Sequence, residues 1–189
     1  MTEVTINKQA RLSEHLTSSS VATLGNSNKL DCSRLSPHFT LAEMCKTSAK
    51  TADGNIPSHV HIENLKRLCS WLEELRERYN LRYVLPLSRG SQRGSEDPII
   101  INSGYRSEAV NKAVGGVKGS NHLTGCAADI RVAGIEQLIR YATILLDISD
   151  ESQEDFDELL LERNKSGAIW LHFAVRPKNN RRKTMFLQK

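Results

Sequence analysis

Two histidines and one aspartate carry the clearest chemistry in this sequence of 189 residues. His122 and Asp129 lie seven residues apart, and Gly125 between them permits a sharp turn that would aim both side chains at one point. His172 lies in an apolar stretch that predicts a strand, on which His172 and Trp170 would share one face. Two imidazoles and a carboxylate around an open fourth position form a catalytic zinc arrangement, in which zinc polarises a carbonyl and activates water. Because this spacing also occurs by chance, it leaves a structural role open.

Amphipathic helices and short strands are predicted around these residues. Apolar residues recur at intervals of three and four from Val60 to Tyr79, which predicts a helix of about five turns. Further predicted helices lie after the capping residue Thr40, at 107–114 and at 135–146. Strands are predicted near 99–102, 126–132, 156–162 and 168–175. These elements predict an α+β fold, in which a small antiparallel sheet carries the metal site on one face and helices flank it.

The composition is that of a soluble globular domain. Hydrophobic residues make up 39% and charged residues 25%, which excludes a disordered chain. The net charge of +4 is too weak to predict a nucleic acid as partner. No apolar run approaches the roughly 20 residues needed to span a membrane. Residues 1–35 are polar, which predicts an N-terminal extension before a domain over 36–189.

The remaining sequence features are cysteines and charged segments. The four cysteines form no CxxC pair, which predicts free thiols in a reducing compartment. The segment 150–158 holds six acids and predicts a solvated helix end or loop. The tail from Arg176 holds six basic residues and no acid, which predicts a solvated edge or a surface that attracts an anionic polymer.

Several motifs together resemble one known family. The segment SNHLTGCAAD (120–129) resembles the SxHxxGxAxD signature of the zinc D-Ala-D-Ala carboxypeptidase family, which are cell-wall peptidases that share a fold with the hedgehog signalling domain. The upstream segments HFTLAEM and INSGYRSEAVNKAVGGV and the downstream segments FDELLLE and WLHFAVRPKNNRR resemble the flanking motifs of that family. The resemblance covers about residues 37 to 185 and implies a hedgehog/D-Ala-D-Ala peptidase-like fold with zinc as cofactor.

The resemblance also implies individual residue roles. His122, Asp129 and His172 would bind zinc. Arg106 would face the substrate and hold a carbonyl oxygen or the developing oxyanion, a task that suits its fixed charge. Ser120 would bind substrate or support the metal shell. The alternatives are an ordinary surface arginine at Arg106 and a loop-capping hydroxyl at Ser120.

The sequence departs from the family at one catalytic position. Several branches place an acid three residues before the last histidine, where it acts as general base. This sequence has Ile169 at that position, and isoleucine cannot accept a proton.

A predicted hairpin offers a substitute base. A turn centred near Lys165 would pair Glu158 with His172 and point Glu162 into the site. A register slip of one residue would bring Asp157 there instead. The resembling branch carries acids at the positions of Asp157 and Glu162, and we predict Glu162 as the base, with a structural carboxylate as the alternative.

The expected function is zinc-dependent hydrolysis of peptide bonds in peptidoglycan stem peptides, by a D-Ala-D-Ala carboxypeptidase or a cell-wall endopeptidase (lysin). A non-catalytic zinc-containing module that binds cell-wall peptides is the alternative, which Ile169 keeps open, and a regulatory domain with chance motif residues is a third. The expected partners are peptidoglycan peptides, with no nucleic acid, no membrane span and a monomeric state. The lack of a recognisable signal peptide predicts a cytoplasmic location or a phage-type release to the cell wall. Residues 1–35 could cover the cleft.

Overall fold

The structure is a computed structural model that describes residues 34–84 and 96–188. Its helices are α1 (Leu41–Met44), α2 (His59–Tyr79), a short π-helix (Asn80–Val84), α3 (Glu108–Ala113), a 3₁₀-helix (Asn121–Thr124) and α4 (Ile135–Ser152). Its strands are β1 (Ile101–Ser103), β2 (Ala127–Arg131), β3 (Glu158–Arg163), β4 (Ile169–Ala174) and β5 (Lys183–Gln188). The predicted α+β fold class is therefore confirmed.

The long helix α2 fills the centre of the core. The side chains along it with no exposed surface are Leu65, Leu68, Cys69, Leu72 and Leu75. They follow the intervals of three and four seen in the sequence, and each buried leucine contributes roughly 1.5–3 kcal/mol. The helix begins after Ser58, whose hydroxyl accepts a hydrogen bond from the amide of His61.

The described strands form one sheet in the order β1-β2-β4-β3-β5. The pairs β1–β2, β2–β4 and β4–β3 are antiparallel, as predicted. The edge strand β5 runs parallel to β3 and was not predicted from the sequence. Its residues stay largely exposed, in keeping with the solvated edge expected for this segment.

The β3–β4 hairpin has a different register from the predicted one. Leu160, and not Glu158, pairs with His172. The pairing is displaced by two residues because the turn is centred one residue later, with Gly167 at a φ of 88°. An even displacement keeps every side chain on its face, so Glu162 stays on the same side of the sheet as His172.

The two faces of the sheet have different surroundings. Side chains on one face join the core with α2 and α4, and the Trp71 ring of α2 lies 5.5 Å from the Phe173 ring of β4. The buried residues that β3 and β4 direct to this core are Leu159, Leu161, Leu171 and Phe173. The opposite face carries His172 and Glu162, two buried polar residues that the hydrophobic core does not include.

The acidic and basic segments pair with each other at the C-terminal end. Arg182 forms ion pairs with Asp150 and Asp155. Arg181 contacts Asp157 at 2.7 Å. These pairs fix the chain immediately before β5, so Arg181 and Arg182 are paired with the acidic segment, whereas β5 itself stays largely exposed.

The N-terminal residues 1–33 lie outside the described residues. They include Cys32 and nearly all of the predicted extension, so that extension and its possible cover of the cleft stay predictions. Within the described ranges, no helix is long and apolar enough to cross a bilayer. The described free thiols, as predicted, are Cys45, Cys69 and Cys126.

Candidate metal centre

The fold brings together the three residues that the sequence predicted as ligands. His122 lies in the 3₁₀-helix, Asp129 in β2, and His172 in β4 directly opposite Asp129. Asp129 Oδ1 lies 2.9 Å from His172 Nδ1 and 3.3 Å from His122 Nε2. One potential ligand atom from each residue lies within 4.8 Å of the others, so this group could hold a metal ion. His122 is 2% exposed and His172 is 7% exposed, so both rings are shielded from bulk water.

A tight turn aims His122 at the sheet. Ser120 caps the 3₁₀-helix, and its hydroxyl accepts a hydrogen bond from the His122 amide. Gly125 ends this helix with a φ of 71°, as its predicted place in a sharp return requires. A side chain at Gly125 would also place its Cβ 2.6 Å from the His61 carbonyl oxygen. The contacts of Ser120 are thus those of a cap.

The surroundings of the His122 ring leave the nitrogen that faces Asp129 available for a metal. His122 Nδ1 lies 2.6 Å from the Gly104 carbonyl oxygen, to which it donates its proton. Its Nε2 then carries a lone pair toward Asp129. Gly104 can reach this ring because its backbone lies against α1, where a Cβ would fall 2.3 Å from the Met44 carbonyl oxygen. Two imidazole nitrogens and a carboxylate oxygen suit zinc.

Burial and mutual contacts together set the pKa values of His172, His122 and Asp129. Burial alone would lower the pKa of His172, but its hydrogen bond with Asp129 and the nearby Glu158 raise the pKa to about 9. Burial lowers the pKa of His122, which Asp129 only partly offsets. Burial alone would raise the pKa of Asp129, but both histidines hold it well below its ordinary range. A metal must therefore displace a proton from His172 but not from His122.

Arg106 lies at the edge of this group. Its Nη2 forms a short ion pair with Asp129 Oδ2, and its Nε donates a hydrogen bond to Ser103 Oγ at 2.8 Å. Its side chain is only 16% exposed and is held against Asp129. The pair orients Asp129 so that Oδ1 faces the two histidines.

Two glutamates of β3 share the face of His172. Glu162 pairs with Trp170 in the sheet, is 2% exposed, and raises the pKa of His172 through its charge. Glu158 Oε2 lies 3.6 Å from His172 Nε2. The sequence analysis paired Glu158 directly with His172; in the structure Glu158 lies two residues from that pairing, on the same face, and still contacts the His172 ring.

Asp157 has a different environment from these glutamates. It is fully buried, and its carboxylate accepts hydrogen bonds from Arg181 and from Asn121 Nδ2. Burial alone would raise its pKa, but these bonds and the charge of Arg176 lower it. Asn121 was missed in the sequence analysis, although it lies beside the predicted ligand His122.

Ile169 points away from the metal group. It packs against the hydrophobic core, because it lies an odd number of residues before His172 and therefore on the other face of β4. A carboxylate at this position of a regular strand would not face His172. Ile169 therefore takes no part in the metal group of this structure.

Comparison with known proteins identifies the family. No curated protein matches the chain significantly. The family profile of Peptidase M15 matches residues 37–145, more than half of the chain. The matched residues include His122 and Asp129, and the sheet adds His172 from beyond them. The chain therefore belongs to the M15 peptidase family, whose members are zinc-dependent.

Proposed function

We propose that this protein is a zinc peptidase that hydrolyses peptide bonds in peptidoglycan stem peptides. The observation that carries the proposal is the convergence of His122, Asp129 and His172 on one point, in a chain of the M15 family. Arg106 and Glu162 lie beside this point and supply a fixed positive charge and a carboxylate.

The proposed chemistry divides between the cofactor and two side chains. Zinc, when bound, polarises the scissile carbonyl and makes water a better nucleophile. Arg106 stabilises negative charge on the carbonyl oxygen, because its guanidinium stays protonated and is already held by Asp129 and Ser103. Glu162 takes the proton of the attacking water and passes it to the leaving amine.

Glu162 is chosen because it shares the face of His172 and its charge acts on that ring, and two other acids near the site make weak bases. Both oxygens of Glu158 are engaged: Oε1 by Arg181 at 3.0 Å and Oε2 by Asn121 at 3.0 Å. The neighbouring His172 ring is the main cause that lowers the pKa of Glu158, to about 2, so Glu158 is a weak base. Asp157 is likewise committed to Arg181 and Asn121.

A paired measurement on one preparation tests the proposed function. Bound zinc per chain is determined first, and the zinc-loaded protein is then incubated with purified muropeptides whose products are read by mass spectrometry. We expect one zinc per chain and cleavage, with loss of one alanine for a carboxypeptidase or a split stem or cross-link for an endopeptidase. His172→Ala, which removes a ligand, serves as the inactive control. Zinc without cleavage of any substrate would replace the peptidase by the peptide-binding module.

A second variant tests the proposed base. Glu162→Gln keeps the shape of the side chain but cannot accept the proton. We expect kcat to fall by about 10²–10⁴-fold with the zinc content unchanged. Glu154→Gln, an exposed glutamate outside the site, is the matched control and should retain full activity. Equal kcat for the two variants would exclude Glu162 as base.

A further inference from the structure

Glu158 contacts a proposed ligand on the side away from the metal. Its Oε2 lies 3.6 Å from His172 Nε2, while His172 Nδ1 faces Asp129 Oδ1 at 2.9 Å. When zinc takes the place of the proton on Nδ1, the one remaining proton of the neutral imidazole lies on Nε2, beside the Glu158 carboxylate. The lone pair is then left on Nδ1, the nitrogen directed at Asp129 and the metal point.

The Glu158 carboxylate is itself held in place by three partners. Asn121 Nδ2 donates to Oε2 at 3.0 Å. Arg181 Nη2 lies 3.0 Å and Lys183 Nζ 3.4 Å from Oε1. Both basic residues belong to the C-terminal segment at and before β5, which lies outside the residues that match the family. The C-terminal segment thus extends to the surroundings of the metal group.

Asn121 joins the two histidines in one network. Its Nδ2 donates to Glu158 and also to Asp157 Oδ2 at 2.8 Å, and it precedes His122 in the 3₁₀-helix. The same amide therefore anchors the turn that presents His122 and the carboxylate that contacts His172. A change in this network would move both rings.

We propose that Glu158 is a positioning residue, which fixes the ring of His172 so that Nδ1 binds zinc. The inference rests on the metal site of the proposed function and adds a residue to it. Glu158 acts through His172 and not on the substrate, because its two oxygens are taken by Asn121 and the basic C-terminal residues.

Zinc affinity of the whole chain provides the first test. Glu158→Ala should weaken zinc binding by about 10- to 100-fold in competition with a chromophoric chelator, as expected when the partner of a ligand is removed. Glu154→Ala is the control, because it removes an exposed glutamate from the same region and should bind zinc as the wild type does. Affinities of Glu158→Ala and the wild type within twofold would overturn the proposal.

A spectroscopic test separates positioning from a general loss of stability. In zinc-loaded protein labelled with ¹⁵N-histidine, the His172 ring should show zinc on Nδ1 and a proton on Nε2. Glu158→Gln keeps the size of the side chain if Glu158→Ala does not fold, and it should give a weakened or mixed His172 signal while His122 keeps zinc on Nε2. If Glu158→Gln folds and its His172 signal is the same as that of the wild type, the proposal is overturned.

These readouts need no peptide substrate, so the two proposals can fail separately. Weaker zinc binding in Glu158→Ala with no muropeptide cleavage by the wild type would remove the peptidase and support the positioning residue. Cleavage by the wild type with unchanged zinc affinity in Glu158→Ala would support the peptidase and remove the positioning residue.

Discussion

Asp129 in β2 and Asp157 immediately before β3 are both largely shielded from water, and their partners give them opposite tasks. The side chain of Asp129 is 14% exposed and faces two imidazoles, whereas Asp157 is completely buried beside two guanidiniums. Imidazoles can give up a proton and bind a metal, but guanidiniums remain charged at any working pH. Burial of a carboxylate therefore does not identify the metal site. The metal site is identified instead by neighbours that can lose a proton near neutral pH, as imidazoles can and guanidiniums cannot.

The largest expected effect comes from neutralising the first aspartate. Asp129→Asn keeps the shape of the side chain but removes the negative charge that would bind zinc and that pairs with Arg106. We expect zinc affinity to fall on the order of 100-fold or more and hydrolysis to be lost, because one of three ligands is weakened. Isothermal titration with zinc and the muropeptide assay measure these losses. Asp155→Asn, in an exposed position, is the control, and an equal effect in both variants would contradict the assignment.

The corresponding change at the second aspartate should act on stability. Asp157→Asn leaves Arg176 and Arg181 without their buried counter-charge. We expect the free energy of unfolding of the zinc-free protein to fall by about 2–3 kcal/mol, at the low end for a broken buried pair because both arginines are partly exposed. Denaturant unfolding followed by circular dichroism measures it. A larger loss of zinc affinity in Asp157→Asn than in Asp129→Asn would reverse the comparison.

The pH dependence of zinc binding should further distinguish Asp129, which contacts His172, from Asp157. Because the pKa of His172 is raised from 6.5 to about 9 in the zinc-free protein, its ring is protonated below that pH, and zinc must displace the proton. We expect the Kd for zinc to rise about tenfold for each unit that the pH falls between 9 and 6.5. Asp157→Asn should keep this slope, because the change leaves the contact of His172 with Asp129 in place. A Kd independent of pH in this range would exclude a protonated His172.

Local patterns in the sequence predicted much of the fold and the metal group. The position of α2 could be predicted from its apolar periodicity, because the apolar residues of a helix that packs against the core lie on one face. The residues His122, Asp129 and His172 were predicted from their types, their spacing and the family motifs. Because side chains alternate along a strand, the sequence also predicted which residues of β4 share the face of His172. The same alternation explains why Ile169 faces the core.

Other features depend on contacts between distant segments and could not be predicted. The strand β5 has three consecutive apolar residues, Met185 to Leu187, and no alternation, so only its pairing with β3 reveals it. The register of the hairpin depended on which residue centres the turn, and Gly167 shifted it by two positions. The predicted pairing already placed Glu158 opposite His172, but its partners Asn121 and Arg181, which come from elsewhere in the chain, were not predicted.

The smallest effect is expected at the outer edge of the network. Lys183 lies 3.4 Å from Glu158 Oε1, and its side chain is 41% exposed. Lys183→Gln should therefore change zinc affinity by less than about threefold and the free energy of unfolding by under roughly 1 kcal/mol, because exposed ion pairs are weak. Chelator competition and thermal unfolding measure both. Since Arg181 still holds the same carboxylate oxygen, a tenfold loss of affinity in Lys183→Gln would mean that charge from β5, and not the buried Asn121 contact, keeps Glu158 against His172.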